Sequence, residues 1–395
     1  MKIVIVGSGV VGVTTAYYAA KKGFEVKVVD AITAANKCSY ANGGQISVCN
    51  SQVWNSWSNV RKAMEWLGKE NAPLLIRPDF DPDRYVWLMK FMGEIFLGRQ
   101  RENTHKTIQL GLEARHLYSE IFDTVPGLAS DTDHAKHGIL HLYTQMKDYT
   151  AALELQTEFE QTGLTWTDVP VSKLVSLEPR LISFVGLVGG IYTPEDSTGD
   201  AHRFCRSLLK YLQDQHGVEL AFNQTINSLD ELLGLEADRY VICTGTGLQQ
   251  MGHWFGENLN IYPVKGYSLT IESDVNNLPK ISLLDEHAKI VSSTLGNRFR
   301  VAGTAEFTGH DETMNQKRMQ PLYDWVDRNF VGIRTSHHAE SWTCLRPMRP
   351  DMLPIWGKFR NSDSVYYNGG HGHLGWTLAP ATAMKVINQI CNSLS

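Results

Sequence analysis

The amino-acid sequence predicts an α/β fold in which two domains are interleaved, and three observations carry that expectation. Residues 1–30 read as strand, glycine turn, helix and strand without interruption. The same grammar of parallel strands and helices returns after residue 196 and again after residue 345. The stretches between hold aromatic-rich helices and longer antiparallel strands, which suits an α+β domain assembled from insertions.

The opening unit is the sharpest of the three. Lys2-Ile-Val-Ile-Val6 is a β-branched run suited to a buried parallel strand, and it leads into Gly7-Ser8-Gly9-Val10-Val11-Gly12. Gly7 permits a tight turn, Gly9 lets backbone N–H groups approach a pyrophosphate, and Gly12 lets the next helix pack on the strand; Val11 belongs to the same phosphate-facing turn. The helix expected over Thr14–Lys22 keeps its contacts close through Ala16, Ala19 and Ala20 and stops at Gly23. Glu25–Val29 then alternates into a second strand ending at Asp30, eighteen residues after Gly12 (30 − 12), where a carboxylate reaches ribose hydroxyls. Together these features predict a dinucleotide site.

Further along, Ser39–Ser47 is a second loop of small residues, and Val53 to Pro126 is mostly helical and rich in aromatics. Within it Tyr85–Leu97 is apolar on more than one face, which predicts a core or subunit-contact helix, with a membrane-surface patch as the other reading. Strands are expected over Gly138–Thr144 and Gly186–Thr193, with a helix over Tyr149–Thr162 between them. The turn Pro194–Asp200 opens a helix over Ala201–Gln215 with acidic and hydroxyl residues. Strands over Val218–Phe222 and Tyr240–Cys243 follow, the latter running into Thr244-Gly245. Strands Tyr262–Glu272 and Arg298–Glu306, a short turn at Lys265-Gly266, a helix over Met314–Phe330 and a last helix over Pro380–Cys391 complete the reading. The expected division is 1–52, 196–255 and 345–395 for the nucleotide domain, and 53–195 with 256–344 for the substrate domain.

Composition excludes several classes. At 43% hydrophobic and 20% charged, the 395-residue chain is that of a globular protein with a large core. A net charge of −5, with no Lys/Arg run, argues against nucleic acid as a partner. The six cysteines lack any metal-ligand spacing, so they read as reduced thiols, no metal site is expected, and a cytoplasmic location follows. The first strand begins at once, leaving no room for a cleavable signal, and no apolar run reaches the ~18 residues of a spanning helix.

Four later motifs move the reading from a dinucleotide to a flavin. They are Ser39 with Asn42-Gly43-Gly44-Gln45, Pro263-Val-Lys-Gly-Tyr-Ser268, Trp342-Thr-Cys-Leu-Arg-Pro-Met-Arg-Pro-Asp-Met-Leu-Pro354, and Asn368-Gly-Gly-His-Gly-His-Leu-Gly-Trp-Thr377. With the N-terminal turn and Asp196-Ser-Thr-Gly-Asp200, their order over nearly the whole chain resembles the FAD-dependent D-amino acid oxidase superfamily, and within it the bacterial D-amino acid dehydrogenases of small-subunit type. The resemblance implies a Rossmann-like FAD-binding domain. Beyond the opening turn and Asp30, it implies FAD contacts from Ser39, Asn42, Gly43, Gly44 and Gln45, from Ile226, Thr244 and Gly245, and from Gly370, His371, Gly372, Leu374, Gly375, Trp376 and Thr377.

The resemblance also assigns chemistry. Arg346, stiffened by Pro347, offers a planar fork of donors matched to an amino-acid carboxylate; a structural pair with Asp351 is the alternative. Glycines before the last helix bring N–H groups to the flavin. His373 and Tyr267 are candidates for the substrate side, Tyr267 with simple packing as its alternative. The implied reaction is hydride transfer from the substrate Cα to flavin N5, giving an imino acid that water converts to a 2-oxo acid and ammonia. Electrons pass to a quinone or another acceptor that is not oxygen, and peripheral contact with the cytoplasmic face of the inner membrane or with another subunit is implied. Two departures keep rivals open: Asp30 stands where glutamate is usual, which leaves an NAD-dependent dehydrogenase in play, and Cys344 stands where sarcosine oxidases link their flavin. A sarcosine or glycine oxidase, a flavin subunit of a proline or hydroxyproline dehydrogenase, and a non-catalytic flavoprotein are the other readings.

Overall fold

Two sheets face one another across the site, and every expected strand falls into one of them. The structure, a computed structural model, describes residues 1–77, 80–335 and 339–394. The first sheet has six strands in the order Ile355–Lys358, Val365–Gly369, Arg239–Ile242, Lys2–Val6, Glu25–Val29 and Glu219–Ala221. All pairings are parallel except that of Ile355–Lys358 with Val365–Gly369. Its centre is Lys2–Val6, whose Ile3, Val4 and Ile5 are fully buried, as a parallel strand covered on both faces requires.

Helix Val10–Lys21 covers that sheet and is itself covered by Ala201–His216 and Gly375–Asn392. It starts four residues earlier than Thr14, because Gly9 rather than a side chain occupies the cap position. Alanines at 16 and 19 have no exposed surface, which is what lets three helices crowd together. Gly7 lies at φ +109° and a Cβ there would stand 2.4 Å from the carbonyl oxygen of Cys243; at Gly12 it would stand 1.8 Å from that of Gly7. Both positions therefore demand glycine.

The second sheet is mixed: Ala339–Met348, Tyr262–Glu272, Arg298–Phe307, Ile290–Leu295, Ser282–Asp285, Ile139–Tyr143, Gly189–Thr193 and Thr167–Pro170, with Leu74–Ile76 added beside Arg298–Phe307. Helix Gln316–Asn329 packs on it through Met319, Leu322, Trp325 and Val326.

Several expectations are corrected. Lys265-Gly266 is no turn but part of the continuous strand Tyr262–Glu272, with a register shift against Arg298–Phe307 at that point. The stretch Tyr149–Thr162 is two helices, Met146–Glu154 and Gln156–Gln161, hinged at Leu155. Strand Ala339–Met348 pairs with Tyr262–Glu272 along its whole length, so it runs through the expected division at 344/345. The last helix begins at Gly375 rather than Pro380. Proline cannot donate to the carbonyl four residues back, and that carbonyl, Trp376 O, takes a hydrogen bond from the Tyr118 hydroxyl instead. Among the described residues no helix is long and apolar enough to cross a membrane.

Candidate active site

A cavity of about 520 Å³ lies between the two sheets, within the size range of small-molecule sites. One wall is the strand Ala339–Met348, which presents Trp342, Cys344, Arg346 and Met348 to it. That spacing of two is the pleat of a strand showing one face. The opposite wall is the loop and helix start Gly372–Thr377, and the floor is the Ser39–Gln45 loop.

Arg346 is the group whose chemistry is left open. Its Nη1 donates to the carbonyl of Thr304 at 3.0 Å, and among the described residues it has no carboxylate partner. The alternative pairing with Asp351 is excluded by the structure: Arg349 holds that carboxylate, Nε to Oδ1 at 3.2 Å and Nη2 to Oδ2 at 2.8 Å. The other charges lining the cavity, Glu286 and Lys289, neutralise one another at 2.8 Å. A partly buried guanidinium without an anion calls for one from a ligand.

His373 lines the same cavity, its ring stacked on Trp54 at 4.7 Å between centroids. Burial and then the Arg346 charge push its pKa down to about 3, against a weak opposing pull from the Asn50 backbone. It is therefore neutral at pH 7, and among the described residues neither ring nitrogen has a hydrogen-bond partner of good geometry. Tyr267 also lines the cavity, but its hydroxyl is committed to Glu306, which Arg77 neutralises at 2.8 Å. Burial and that carboxylate raise its pKa, so it stays protonated. No local pattern points to Trp54, or to a role for Gly266, whose missing side chain leaves room for the Arg346 guanidinium. Lys289 and Val291 also escaped the sequence reading, because the strands that bring them to the cavity were not anticipated.

The predicted cofactor residues divide into two groups. Ser39, Asn42, Gly43, Gln45, Gly372, Leu374, Gly375, Trp376 and Thr377 line the cavity, and Val10 meets it at the phosphate turn. Gly7, Gly9, Val11, Gly12, Asp30, Gly44, Ile226, Thr244, Gly245, Gly370 and His371 do not. Most of the second group belongs to the carboxyl ends of the parallel strands, where a dinucleotide lies in such folds: the amide nitrogen of Thr244 is 3.3 Å from where a Gly7 Cβ would be. Asp30 is partly used, its Oδ2 accepting from both the backbone and hydroxyl of Ser8 at 2.6 Å. Ile226 packs beside the core around Val4, Val6 and Val29. His371 is buried away from the cavity with Nε2 2.9 Å from Thr382 Oγ1, and burial lowers its pKa to about 3.

The loop is held to both sheets. Ser39 Oγ accepts from Val10 N at 3.0 Å, Ser293 Oγ donates to Gly43 O at 2.8 Å, and Gln45 Nε2 reaches Ser282 at 2.8 Å. Asp196 fixes its far end, accepting from Ser47 Oγ at 2.7 Å and pairing with Arg115 at 3.0 Å.

The donor set fits FAD. Helices Val10–Lys21 and Gly375–Asn392 both begin without a side-chain cap and without an acidic residue in the first turn, leaving N–H groups and a positive dipole end for anionic groups. Gln45 Oε1 and Trp376 Nε1, both from cavity-lining residues, are buried without a partner among the described residues.

Comparison with known proteins agrees with this geometry. The profile of the family described as FAD dependent oxidoreductase matches residues 2–389. D-amino acid dehydrogenase 3 of Mesorhizobium japonicum is 40% identical over 412 residues, covering 100% of this chain and 98% of its own. D-amino acid dehydrogenase of Dechloromonas aromatica is 36% identical, covering 99% of this chain and 97% of its own. Among solved structures, glycine oxidase from Geobacillus kaustophilus superposes with a TM-score of 0.73 at 18% identity, covering 99% of this chain and 94% of that one, which is a likeness of fold.

Proposed function

This chain belongs to the FAD dependent oxidoreductase family, and we propose that it oxidatively deaminates D-amino acids, with Arg346 binding the substrate carboxylate. The observation that carries the reading is the guanidinium of Arg346, standing without an anion among the described residues in the wall of a cavity otherwise lined mainly by apolar and neutral groups. On this reading the six-stranded sheet is the base of an FAD domain and the second sheet that of a substrate domain.

When bound, FAD supplies the acceptor for the hydride leaving the substrate Cα. The chain's own residues bind and orient. Arg346 fixes the carboxylate through two parallel N–H donors. Neutral His373, stacked on Trp54, offers an acceptor nitrogen to the substrate amino group, and the aromatic and methionine walls exclude water. The uncapped start of helix Gly375–Asn392 would hold the flavin, and its positive dipole end would favour negative charge there. Positioning of this kind supplies rate without a strong base.

The acceptor reading is a quinone at a peripheral membrane contact on the cytoplasmic side. The cavity is walled on its outer side by helices Trp57–Trp66 and Pro82–Phe96 through Met64, Leu88, Phe91 and Met92. Those helices expose Phe96 at 72%, Met64 at 67% and Met89 at 65%. An apolar surface continuous with the cavity supports a lipid-dissolved acceptor.

The deciding experiment is an anaerobic screen of D- and L-amino acids against the purified yellow protein, following loss of flavin absorbance. Bleaching by D-amino acids ahead of their L forms is expected. Faster bleaching by L-alanine, L-proline or sarcosine overturns the reading.

A further inference from the structure

Cys344 and Cys38 lie 306 residues apart in sequence and share one wall of the cavity. The Cys38 thiol donates to the carbonyl of Leu345, the residue after Cys344, at 2.8 Å, and the Cys344 thiol is the titratable neighbour that influences it most. Both side chains are unbridged and partly buried. Cys49, Cys205 and Cys243 are buried, their thiols pushed up chiefly by desolvation. The pair is therefore set apart from those three by access through the cavity and by having each other.

We propose that Cys38 and Cys344 are a redox-modification site, a dithiol that a small organic disulfide entering the cavity converts to an intrachain disulfide. The two thiols are unequal in a way that suits this. The neighbouring Cys38 thiol and the Arg346 charge hold Cys344 below the usual thiol range against the cost of burial, while Cys38 is raised. Cys344 is then the attacking thiolate and Cys38 the resolving thiol. In the first exchange the Cys344 sulfur attacks one sulfur of R–S–S–R, forming a mixed disulfide and releasing one thiolate, which takes up a proton. In the second, Cys38 gives up its proton and attacks the Cys344 sulfur, releasing the second R–SH. Two protein thiols are oxidised and one small disulfide is reduced to two thiols.

The consequence follows from where the two residues sit. Cys38 precedes Ser39, which is bonded to the first turn of the phosphate-side helix, and Cys344 is two residues before Arg346 on the same strand face. A disulfide draws the cofactor loop to that strand and moves the guanidinium. Its effect on turnover rests on the carboxylate-clamp reading; its formation does not.

The test treats purified holoenzyme with bis(2-hydroxyethyl) disulfide. Thiols titrated after denaturation should fall by two from the six in the chain, and unreduced proteolysis should give one peptide joining Cys38 to Cys344. The value of kcat/KM should drop by roughly 10–100-fold, the usual cost of a misplaced binding group, and return with dithiothreitol. Cys38→Ser should form no link and should stop at a single mixed disulfide on Cys344, which dithiothreitol removes. Separate mixed disulfides on the two cysteines, unchanged thiol counts, or a Cys344 peptide carrying FAD would each overturn the proposal. Should the linked peptide form while no D-amino acid bleaches the flavin, the site stands and the substrate reading fails.

Discussion

The guanidinium of Arg346 lies against the backbone of Gly266, so close that a Cβ at 266 would stand 2.3 Å from its Cζ and Nη2 and 2.7 Å from Nη1. The two residues lie on neighbouring strands, Arg346 opposite Val264 and Gly266 opposite Cys344, so the guanidinium lies diagonally over the glycine, which leaves it its place. Gly266→Ala should therefore fold, since the obstacle is the movable end of a side chain rather than backbone, yet it must displace the guanidinium. The expected result is normal FAD content with kcat/KM lower by roughly 10–100-fold, chiefly through KM. Unchanged kinetics would show that the guanidinium geometry does not matter.

Arg346→Met should reduce turnover far more than it reduces stability. Removing one partner of a charge-assisted carboxylate pair costs about 2–5 kcal/mol, a fall of roughly 30-fold to a few thousand-fold in kcat/KM. Arg346→Lys keeps the charge without the fork and should lie between. Flavin content, read by absorbance, should stay near normal in both, because Arg346 belongs to the strand wall and not to either helix start. Wild-type kcat/KM in Arg346→Met removes its assigned role.

Acid stability should depend on His371. Its folded pKa, lowered to about 3 by burial, lies well below the ~6.5 of an unfolded chain. Between those values the unfolded state binds the extra proton, so the contribution is whole above pH 6.5 and is lost as pH falls toward 3. The slope from one such histidine is up to about 1.4 kcal/mol per pH unit. His371→Asn, which can still bond Thr382, should lose that component of the slope in urea-unfolding measurements between pH 4 and pH 6.5. An unchanged slope would place the titration elsewhere.

How far the sequence was legible follows the reach of its forces. Lys2–Val6, Gly7, Gly12 and Glu25–Val29 lie where periodicity and turn chemistry put them, since that unit is made from neighbours in the chain. The alternation Trp342, Cys344, Arg346, Met348 was visible as a motif but not as one face of a strand, because its partner Tyr262–Glu272 is some 80 residues away. Cys38 beside Cys344 and Trp54 against His373 are products of the tertiary fold, with no local pattern to announce them. The start of the last helix was misplaced for the same reason: Pro380 reads as a boundary unless Tyr118 is known to be there.

That last pair gives a test of how the cofactor end of the site is held. The Trp376 carbonyl lies one residue into helix Gly375–Asn392, faces a proline four residues on, and has the Tyr118 hydroxyl as its donor. Burial raises the tyrosine's pKa far above its usual value, so it keeps the proton it donates. Tyr118→Phe leaves a buried carbonyl without a partner, which costs about 1–3 kcal/mol. Since Gly375, Trp376 and Thr377 line the cavity, the loosened first turn should also weaken FAD retention, read as flavin released on dilution. Pro380→Ala supplies a backbone N–H to the same carbonyl, so the cost of Tyr118→Phe should shrink in that background, a coupling that a double-mutant cycle measures directly. If the two substitutions are additive, the hydroxyl is not standing in for the missing helix bond, and the early start of the helix needs another cause.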